Sequence, residues 1–380
     1  MNNLNIVEKV WTNENPVKII FGNKARESLI SFISNKKVLI VTSNRGRLYI
    51  EKELPTITDC NKVTWIDNIS PNPTLIDLQL NINLLKNSIF DLIIAFGGGS
   101  VIDSAKVLSV SINNTHYLLK DLIENPKKIS FAIPVYAVPT TAGTGSEVTP
   151  FATIWDDKEK IKLSLSSSFL YPICSIIDPE LYVTMPDDVL FSTGLDTINQ
   201  AIESIWNKSA TPITLNYAFD SLKLGMPALS NLKENRTSDN YTDLGYSSLL
   251  SGLAISQTRT SICHSISYPI TAHYNVPHGY ACAFTMPEVL KICIDKDKTL
   301  FTRLSKHMIN QNANASDLIN YFITFNKIFD VRNKVKSYVH NIENLFLISN
   351  KMITKERMDN GIINLNHEQI KDLLLNSWNY

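Results

Sequence analysis

Two groups of residues in this chain have types and spacings that could do chemistry. The first is Gly97-Gly98-Gly99-Ser100, followed by Val101-Ile102-Asp103-Ser104-Ala105-Lys106. Glycines let a backbone approach a ligand closely, and a helix that opens here presents unpaired N–H groups and a partial positive charge. A pyrophosphate suits such an end. The spacing is neither G-x-G-x-x-G nor a P-loop, so the run also reads as a tight turn with Ser100 as a helix N-cap. A second run, Pro139-Thr140-Thr141-Ala142-Gly143-Thr144-Gly145-Ser146, adds hydroxyls and amides and strengthens the phosphate reading. The second group is Asp196 with Gln200, then His264, Tyr268, His273 and His278. Residues four apart share a helical face, which pairs Asp196 with Gln200 and His264 with Tyr268. Val276-Pro277-His278-Gly279 presents His278 beside a turn. One carboxylate and two imidazoles can hold a divalent transition metal. Histidines so far apart in sequence also read as separate core or surface residues.

These residues need a scaffold, and the first half of the chain supplies a recognisable one. Val38–Thr42, Asp91–Phe96 and Phe131–Val138 are continuous apolar runs separated by helical patterns. Continuous rather than alternating apolar strands point to a parallel sheet covered on both faces. The second and third runs lead straight into the two Gly/Thr-rich loops, and loops after strands are where such sheets bind ligands. After Met185-Pro186 the spacing becomes mostly helical. A boundary near residue 187 is expected, with domains over 1–187 and 188–380. The stretch from about 294 to the end, rich in Asn, Lys and Ile, reads as peripheral helices.

Composition excludes several classes of function. At 380 residues the chain is too long for one ordinary core. The balance of 36 Lys+Arg against 36 Asp+Glu leaves no basic excess, which argues against a nucleic-acid partner. The 44% hydrophobic content suffices for real cores. No apolar run approaches the roughly 20 residues that span a bilayer. The start, MNNLNIVEKVW, lacks the basic and apolar regions of a secretory signal. Five cysteines (Cys60, Cys174, Cys263, Cys282 and Cys293) without a C-x-x-C pair argue against a disulfide scaffold or a structural zinc cluster. A cytoplasmic enzyme is the expectation.

The motifs, taken in order, resemble the iron-containing (group III) alcohol dehydrogenase family. They are Gly97-Gly-Gly-Ser100-x-x-Asp103-x-Ala105-Lys106, Pro139-Thr-Thr-Ala-Gly-Thr-Gly-Ser-Glu147-Val-Thr149 and Asp178-Pro-Glu-Leu181, then Gly194-Leu-Asp196 with Ala201-Ile-Glu203, His264, and Pro277-His278-Gly279. The likeness covers roughly residues 15–290. It implies an α/β N-terminal dinucleotide-binding domain with a parallel sheet, and an all-α C-terminal domain that binds metal and substrate. This is the architecture shared with dehydroquinate synthase. Carried over motif by motif, the metal positions are Asp196, Gln200, His264 and His278. The cofactor positions are Ser43, Asn72, Gly98, Gly99, Ser100, Asp103, Thr140, Thr141 and Thr144, with Lys162 where the family often has a cofactor-contacting lysine. The implied cofactors are NADPH or NADH and a divalent metal, Fe²⁺ or Zn²⁺. Family members are often dimers or larger, so a homodimer or larger homo-oligomer is expected.

Two departures stand out. The family usually has histidine at the positions of Gln200 and Tyr268. Glutamine offers a weaker oxygen donor in place of a nitrogen, so looser metal binding is expected, or none. Tyr268 brings a phenol that can donate a proton or a hydrogen bond, and it is the candidate catalytic acid.

Within the family, Pro150-Phe-Ala-Thr-Ile-Trp155-Asp156, Glu203-Ser-Ile-Trp206, Thr258-Arg259-Thr260 and Ser267-Tyr268-Pro269 resemble the phosphonoacetaldehyde reductase subgroup. That likeness implies reduction of phosphonoacetaldehyde to 2-hydroxyethylphosphonate, a small anionic aldehyde substrate with no nucleic-acid or membrane partner. Arg259, five residues before His264, suits a phosphonate or sulfonate through a forked, charge-assisted contact. It also reads as a surface ion-pair residue. His273 either assists the anion or sits on the surface. Ser43 stands where NAD-preferring relatives often carry an acid, and Arg45 or Arg47 could pair with a 2′-phosphate, which leans the reading towards NADPH. The rival readings are a sulfoacetaldehyde reductase, an alcohol dehydrogenase for uncharged short-chain alcohols, a sugar-phosphate cyclase and a non-catalytic binding module.

Overall fold

The computed structural model of the chain describes residues 10–379, apart from 60, 61 and 115. Most of the N-terminal stretch and Cys60 therefore lie outside the described residues. The chain forms two compact units. One runs from Asn15 to Met185; the other begins at Pro186 and includes the described residues 10–14. That short segment joins the second unit through Gln257, whose Nε2 donates to the Glu14 carbonyl at 2.7 Å.

The first unit is built on six strands: β1 (Lys18–Phe21), β2 (Lys37–Val41), β3 (Lys62–Ile66), β4 (Leu92–Gly97), β5 (Val135–Pro139) and, after a hairpin, β8 (Cys174–Ile177). Their order is β1-β8-β5-β4-β2-β3, and every neighbouring pair is parallel. All six residues of β4 are buried, as expected of a strand covered on both faces. Around the sheet lie α1 (Leu29–Ile33), α2 (Asn44–Glu53), α3 (Thr56–Asp59), α4 (Leu75–Leu85), α5 (Gly99–Ser111) and α6 (Leu119–Glu124). The antiparallel hairpin of β6 (Phe151–Asp156) and β7 (Ile161–Ser166) packs on α5. The strand expected over 131–138 is shorter than its apolar run. Phe131 is largely exposed, Pro134 has no N–H to give a ladder, and pairing starts only at Val135.

The Asp178–Leu181 motif has a structural task in this unit. The buried Asp178 carboxylate accepts from the Arg26 guanidinium at 2.5 Å, and Glu180 accepts from the same group at 2.7 Å. Both carboxylates hold that guanidinium protonated, with its pKa raised despite burial. The pair ties the segment after β1 to the end of β8.

The second unit is helical. Its first five helices are α7 (Asp187–Ile205), α8 (Pro212–Asn231), α9 (Ser238–Thr258), α10 (Ile262–Tyr274) and α11 (His278–Lys296). They are followed by α12 (Lys298–Met308), α13 (Ala315–Ile328), α14 (Val331–Val339), α15 (Ile342–Ile348), α16 (Lys355–Met358) and α17 (His367–Asn379). Every residue of α7 from Gly194 to Ile205 is buried, so this helix is the axis of the unit rather than a surface element. Asp187 and Asp188 sit in its first turn, where the helix dipole favours acids. Thr211 and Thr237 cap α8 and α9 by accepting from Thr214 and Asn240 backbone N–H groups. No helix among the described residues is long and apolar enough to cross a membrane.

Candidate active site

In the first unit the expected cofactor residues gather at one edge of the sheet. Ser43 follows β2, Asn72 follows β3, Gly98–Ser100 follow β4 and Thr140–Thr144 follow β5. These are the carboxyl ends of four adjacent strands, the edge at which open α/β sheets take ligands. The glycine and threonine loops touch. A Cβ on Gly99 would lie 2.5 Å from the Thr144 methyl, so only glycine lets the start of α5 come this close. Ser43 caps α2, accepting from Gly46 N–H at 3.3 Å. Asn72 takes a left-handed backbone (φ 57°) and donates its N–H to the Ser100 hydroxyl at 3.1 Å. Lys162 lies on β7 opposite Trp155, and Trp155 donates its backbone N–H to the Pro73 carbonyl at 2.9 Å. The hairpin that carries Lys162 is thus fixed to the Asn72 loop.

Asp103 is engaged inside the protein. Its carboxylate accepts from the Ser146 hydroxyl, and from Thr153 N–H at 2.8 Å. It therefore positions the second loop and the hairpin. Sequence reasoning passed over its neighbour Lys106, which is fully buried and donates to Ser146 Oγ (2.8 Å), Thr149 Oγ1 (3.2 Å) and the Phe151 carbonyl (2.9 Å). Burial lowers the Lys106 amine to about 8, and burial raises the nearby Glu147 carboxyl to about 7. Arg45 donates to the Thr184 carbonyl at 2.7 Å, and Arg47 pairs with Asp67 and Glu51, each at 2.8 Å.

In the second unit, α7, α10 and α11 bring Asp196, His264 and His278 together. Asp196 Oδ1 lies 3.1 Å from His264 Nε2 and 4.0 Å from His278 Nε2. Cys282, one turn beyond His278 on α11, completes a group whose ligand atoms all fall within 4.8 Å of one another. His264 and Asp196 are almost wholly buried, while the His278 side chain is 26% exposed. Access is therefore from the His278 side. The close approach of α11 to α7 depends on Gly279, where a Cβ would stand 1.7 Å from the Ser192 carbonyl oxygen.

The other nitrogen of His264 meets Glu203, a wholly buried carboxylate on α7. Its Oε1 also accepts from the backbone N–H groups of Cys263 (2.6 Å) and His264 (3.2 Å). No side chain of its own segment caps α10; Glu203 does so from a neighbouring helix, satisfying N–H groups that would otherwise be orphaned. A carboxylate behind a ligating histidine fixes its tautomer and ring orientation. Burial alone would lower the His264 pKa, but the neighbouring Cys282 and Glu203 and the hydrogen bond to Asp196 raise it well above the ordinary value. This pocket attracts positive charge, and carboxylate, imidazole and thiol donors fit a divalent transition metal.

Gln200 stands beside this cluster in a different capacity. Its Nε2 donates to Asp196 Oδ2 at 3.0 Å, and its Oε1 lies 3.4 Å from Ser251 Oγ, whose hydroxyl donates to the Thr197 carbonyl at 3.0 Å. Tyr268 joins the group: its ring stacks on His278 at 5.7 Å between centroids and meets His264 edge-on at 6.1 Å. His273 does not join it. That residue lies nine positions further along α10, about 13 Å up the axis, with Nε2 3.2 Å from Lys351 Nζ.

Arg259 is half-buried and ends α9 with φ 60° and ψ 178°, a backbone region essentially reserved for glycine. Its surroundings impose that shape. Asn207 Nδ2 donates to the Thr258 (2.9 Å) and Arg259 (3.3 Å) carbonyls, Thr258 Oγ1 donates to the Arg259 carbonyl, and Arg259 N–H donates to Ile255. Trp206 Nε1 donates to Ser261 Oγ at 2.9 Å. The end of α7 therefore clamps the whole α9–α10 link. Glu203 and Cys282 are the residues that sequence reasoning missed. For Cys282 the signal was its spacing, four residues after His278; for Glu203 it was the seven-residue, two-turn spacing from Asp196.

Comparison with known proteins agrees with this geometry. Residues 16–179 match the family model described as iron-containing alcohol dehydrogenase, and residues 190–378 match its C-terminal counterpart, Fe-containing alcohol dehydrogenase family, C-terminal. The chain is 27% identical over 376 residues to NADPH-dependent butanol dehydrogenase of Clostridium saccharobutylicum, covering 94% of this chain and 95% of that one. It is 34% identical to phosphonoacetaldehyde reductase of Streptomyces viridochromogenes over 209 residues, 53% of each chain. The crystal structure of sulfoacetaldehyde reductase from Bifidobacterium kashiwanohense in complex with NAD+ superposes with a TM-score of 0.84 at 22% identity, covering 97% and 99% of the two chains. That last likeness establishes the fold.

Proposed function

The chain belongs to the iron-containing alcohol dehydrogenase family, NAD(P)H-linked oxidoreductases that use a divalent metal, and from that premise we propose that it reduces phosphonoacetaldehyde to 2-hydroxyethylphosphonate. Asp196, His264 and His278 would hold the ion, with Glu203 setting the His264 ring; when bound, the ion would supply Lewis-acid polarisation of the aldehyde carbonyl and the reduced nicotinamide the hydride. The amides at the start of α5 and the hydroxyls of Thr140, Thr141 and Thr144 receive the cofactor phosphates. Tyr268, stacked on His278, delivers a proton to the substrate oxygen as it gains negative charge.

The observation that carries the substrate assignment is the strained backbone of Arg259. Holding a non-glycine residue in this conformation costs about 1–3 kcal/mol, and four hydrogen bonds on this link enforce it three residues before α10 begins. The strain fixes where a guanidinium starts out, one turn ahead of His264, and a forked cation suits the phosphonate of a two-carbon aldehyde. The 34% identity to a phosphonoacetaldehyde reductase supports the same choice.

The test is NAD(P)H oxidation with phosphonoacetaldehyde, sulfoacetaldehyde and propanal by the wild type and by Arg259→Gly, which keeps the backbone shape and removes the cation. Loss of one bidentate charged contact, about 1.5–3 kcal/mol, lowers kcat/KM about 10- to 100-fold for the anionic aldehydes. Propanal stays unaffected. Equal losses on all three substrates would overturn the role of Arg259. A preference for sulfoacetaldehyde in the wild type would overturn the phosphonate assignment.

A further inference from the structure

We propose that Cys282 is the fourth protein ligand of the metal, in place of Gln200. The inference rests on the metal-dependent reading above and specifies how this chain completes the site. The distances fit an ion held by four protein donors with its exposed side left open to substrate. With metal–nitrogen and metal–oxygen bonds of about 2.0–2.1 Å and a metal–sulfur bond of about 2.3 Å, neighbouring donors stand about 3.3 Å apart for nitrogen and oxygen and about 3.6 Å apart for nitrogen and sulfur. His264 Nε2 and Asp196 Oδ1 are 3.1 Å apart, and Cys282 Sγ is 3.8 Å from His278 Nε2. All four ligand atoms lie within 4.8 Å of one another, and the 4.0 Å between His278 and Asp196 involves a partly exposed side chain, which has room to turn inward.

The position of Gln200 points the same way. Its amide nitrogen, a donor that binds no metal, faces the Asp196 carboxylate. Gln200 therefore orients the carboxylate while the thiol, buried on the face of α11 that carries His278, points at the ligand cluster. A metal deprotonates a coordinating thiol outright, so Asp196 and Cys282 together balance a 2+ charge. The thiolate also selects softer ions, favouring Zn²⁺ over Mn²⁺.

The full chain, stripped with a chelator and titrated with Co²⁺, tests this directly. Wild type and Cys293→Ser, which alters a buried thiol outside the cluster, are expected to bind one Co²⁺ and to show a thiolate-to-cobalt charge-transfer band in the near ultraviolet. Gln200→Ala keeps that band. Cys282→Ser loses it and binds Co²⁺ at least about tenfold more weakly, since loss of an outer partner of a ligand already costs that much. One bound Co²⁺ without the band in wild type, or a band that survives Cys282→Ser, overturns the assignment of Cys282 and leaves the reductase reading intact. Failure of the wild type to bind Co²⁺ or Zn²⁺ overturns both.

Discussion

Gly279→Ala is a single-methyl change with an effect that can be worked from geometry. The new Cβ would meet the Ser192 carbonyl oxygen at 1.7 Å, its carbon at 2.8 Å and the Asp196 nitrogen at 2.9 Å. Real Cβ atoms essentially never approach closer than 3.0 Å, so the deficit against the oxygen is 3.0 less 1.7, about 1.3 Å. All three obstacles are backbone of α7, which is buried on every side from Gly194 onward and has nowhere to go. The start of α11 must move instead, and His278 is the residue immediately before. Metal sites tolerate about 0.2 Å in ligand distances, so a shift of this size breaks the His278 bond. Overpacking of this kind costs about 1–3 kcal/mol, which lowers Tm by about 2–12 °C for a unit of this size. Differential scanning calorimetry and Zn²⁺ titration read the two effects separately. Gly361→Ala is the control, because its Cβ meets nothing nearer than 3.5 Å. If Gly279→Ala melts with the wild type and binds Zn²⁺ with the same Kd, the packing account of the site is wrong.

Glu203→Gln keeps the shape of the side chain but removes the charge behind His264; Zn²⁺ affinity falls about 10- to 100-fold by competition with a chromophoric chelator. Stripping the metal lowers the thermal stability of the helical unit. A ligand present at 1,000 times its Kd contributes about 4 kcal/mol, and re-addition of Zn²⁺ restores the melting curve. Glu147→Gln stabilises the first unit at about pH 8 and does nothing at about pH 4, measured by urea unfolding. Burial raises this carboxyl from 4.5 to about 7, so between those values the fold keeps a proton that the unfolded chain has released, and stability falls as pH rises. The cost is complete above 7, at most about 3 kcal/mol.

The parallel sheet and the helical second half were legible because each rests on local pattern: buried strands read as unbroken apolar runs, and long helices show their period. The ligand loops were legible because glycine and threonine clusters after a strand have few other uses. What the sequence could not display was convergence. Glu203 and His264 are 61 residues apart and meet only because α7 and α10 cross. Gln200 offered a plausible oxygen by type and spacing; its amide nitrogen is the atom that meets the Asp196 carboxylate. His273 shares a short stretch of chain with His264 and Tyr268, but helix rise carries it away from them to Lys351. A residue type names a possible chemistry, and only the packing of its neighbours decides whether the atom faces the site.

The end of α7 shows how tightly two parts of the function are joined. Glu203 positions His264, and one turn later Asn207 holds the backbone of Arg259 in its strained form. Ser204 and Trp206, between them, bond to Thr258 and Ser261 of the same link. The stretch Glu203-Ser-Ile-Trp206 and the stretch Thr258-Arg259-Thr260 are thus one hydrogen-bonded unit, although more than fifty residues separate them. A substitution in either stretch is expected to move both Arg259 and His264. On the proposed roles, substrate charge and metal geometry would therefore be coupled through this unit. Asn207→Ala, which removes a clamp but no ligand, is expected to weaken anionic substrates and metal together rather than either alone.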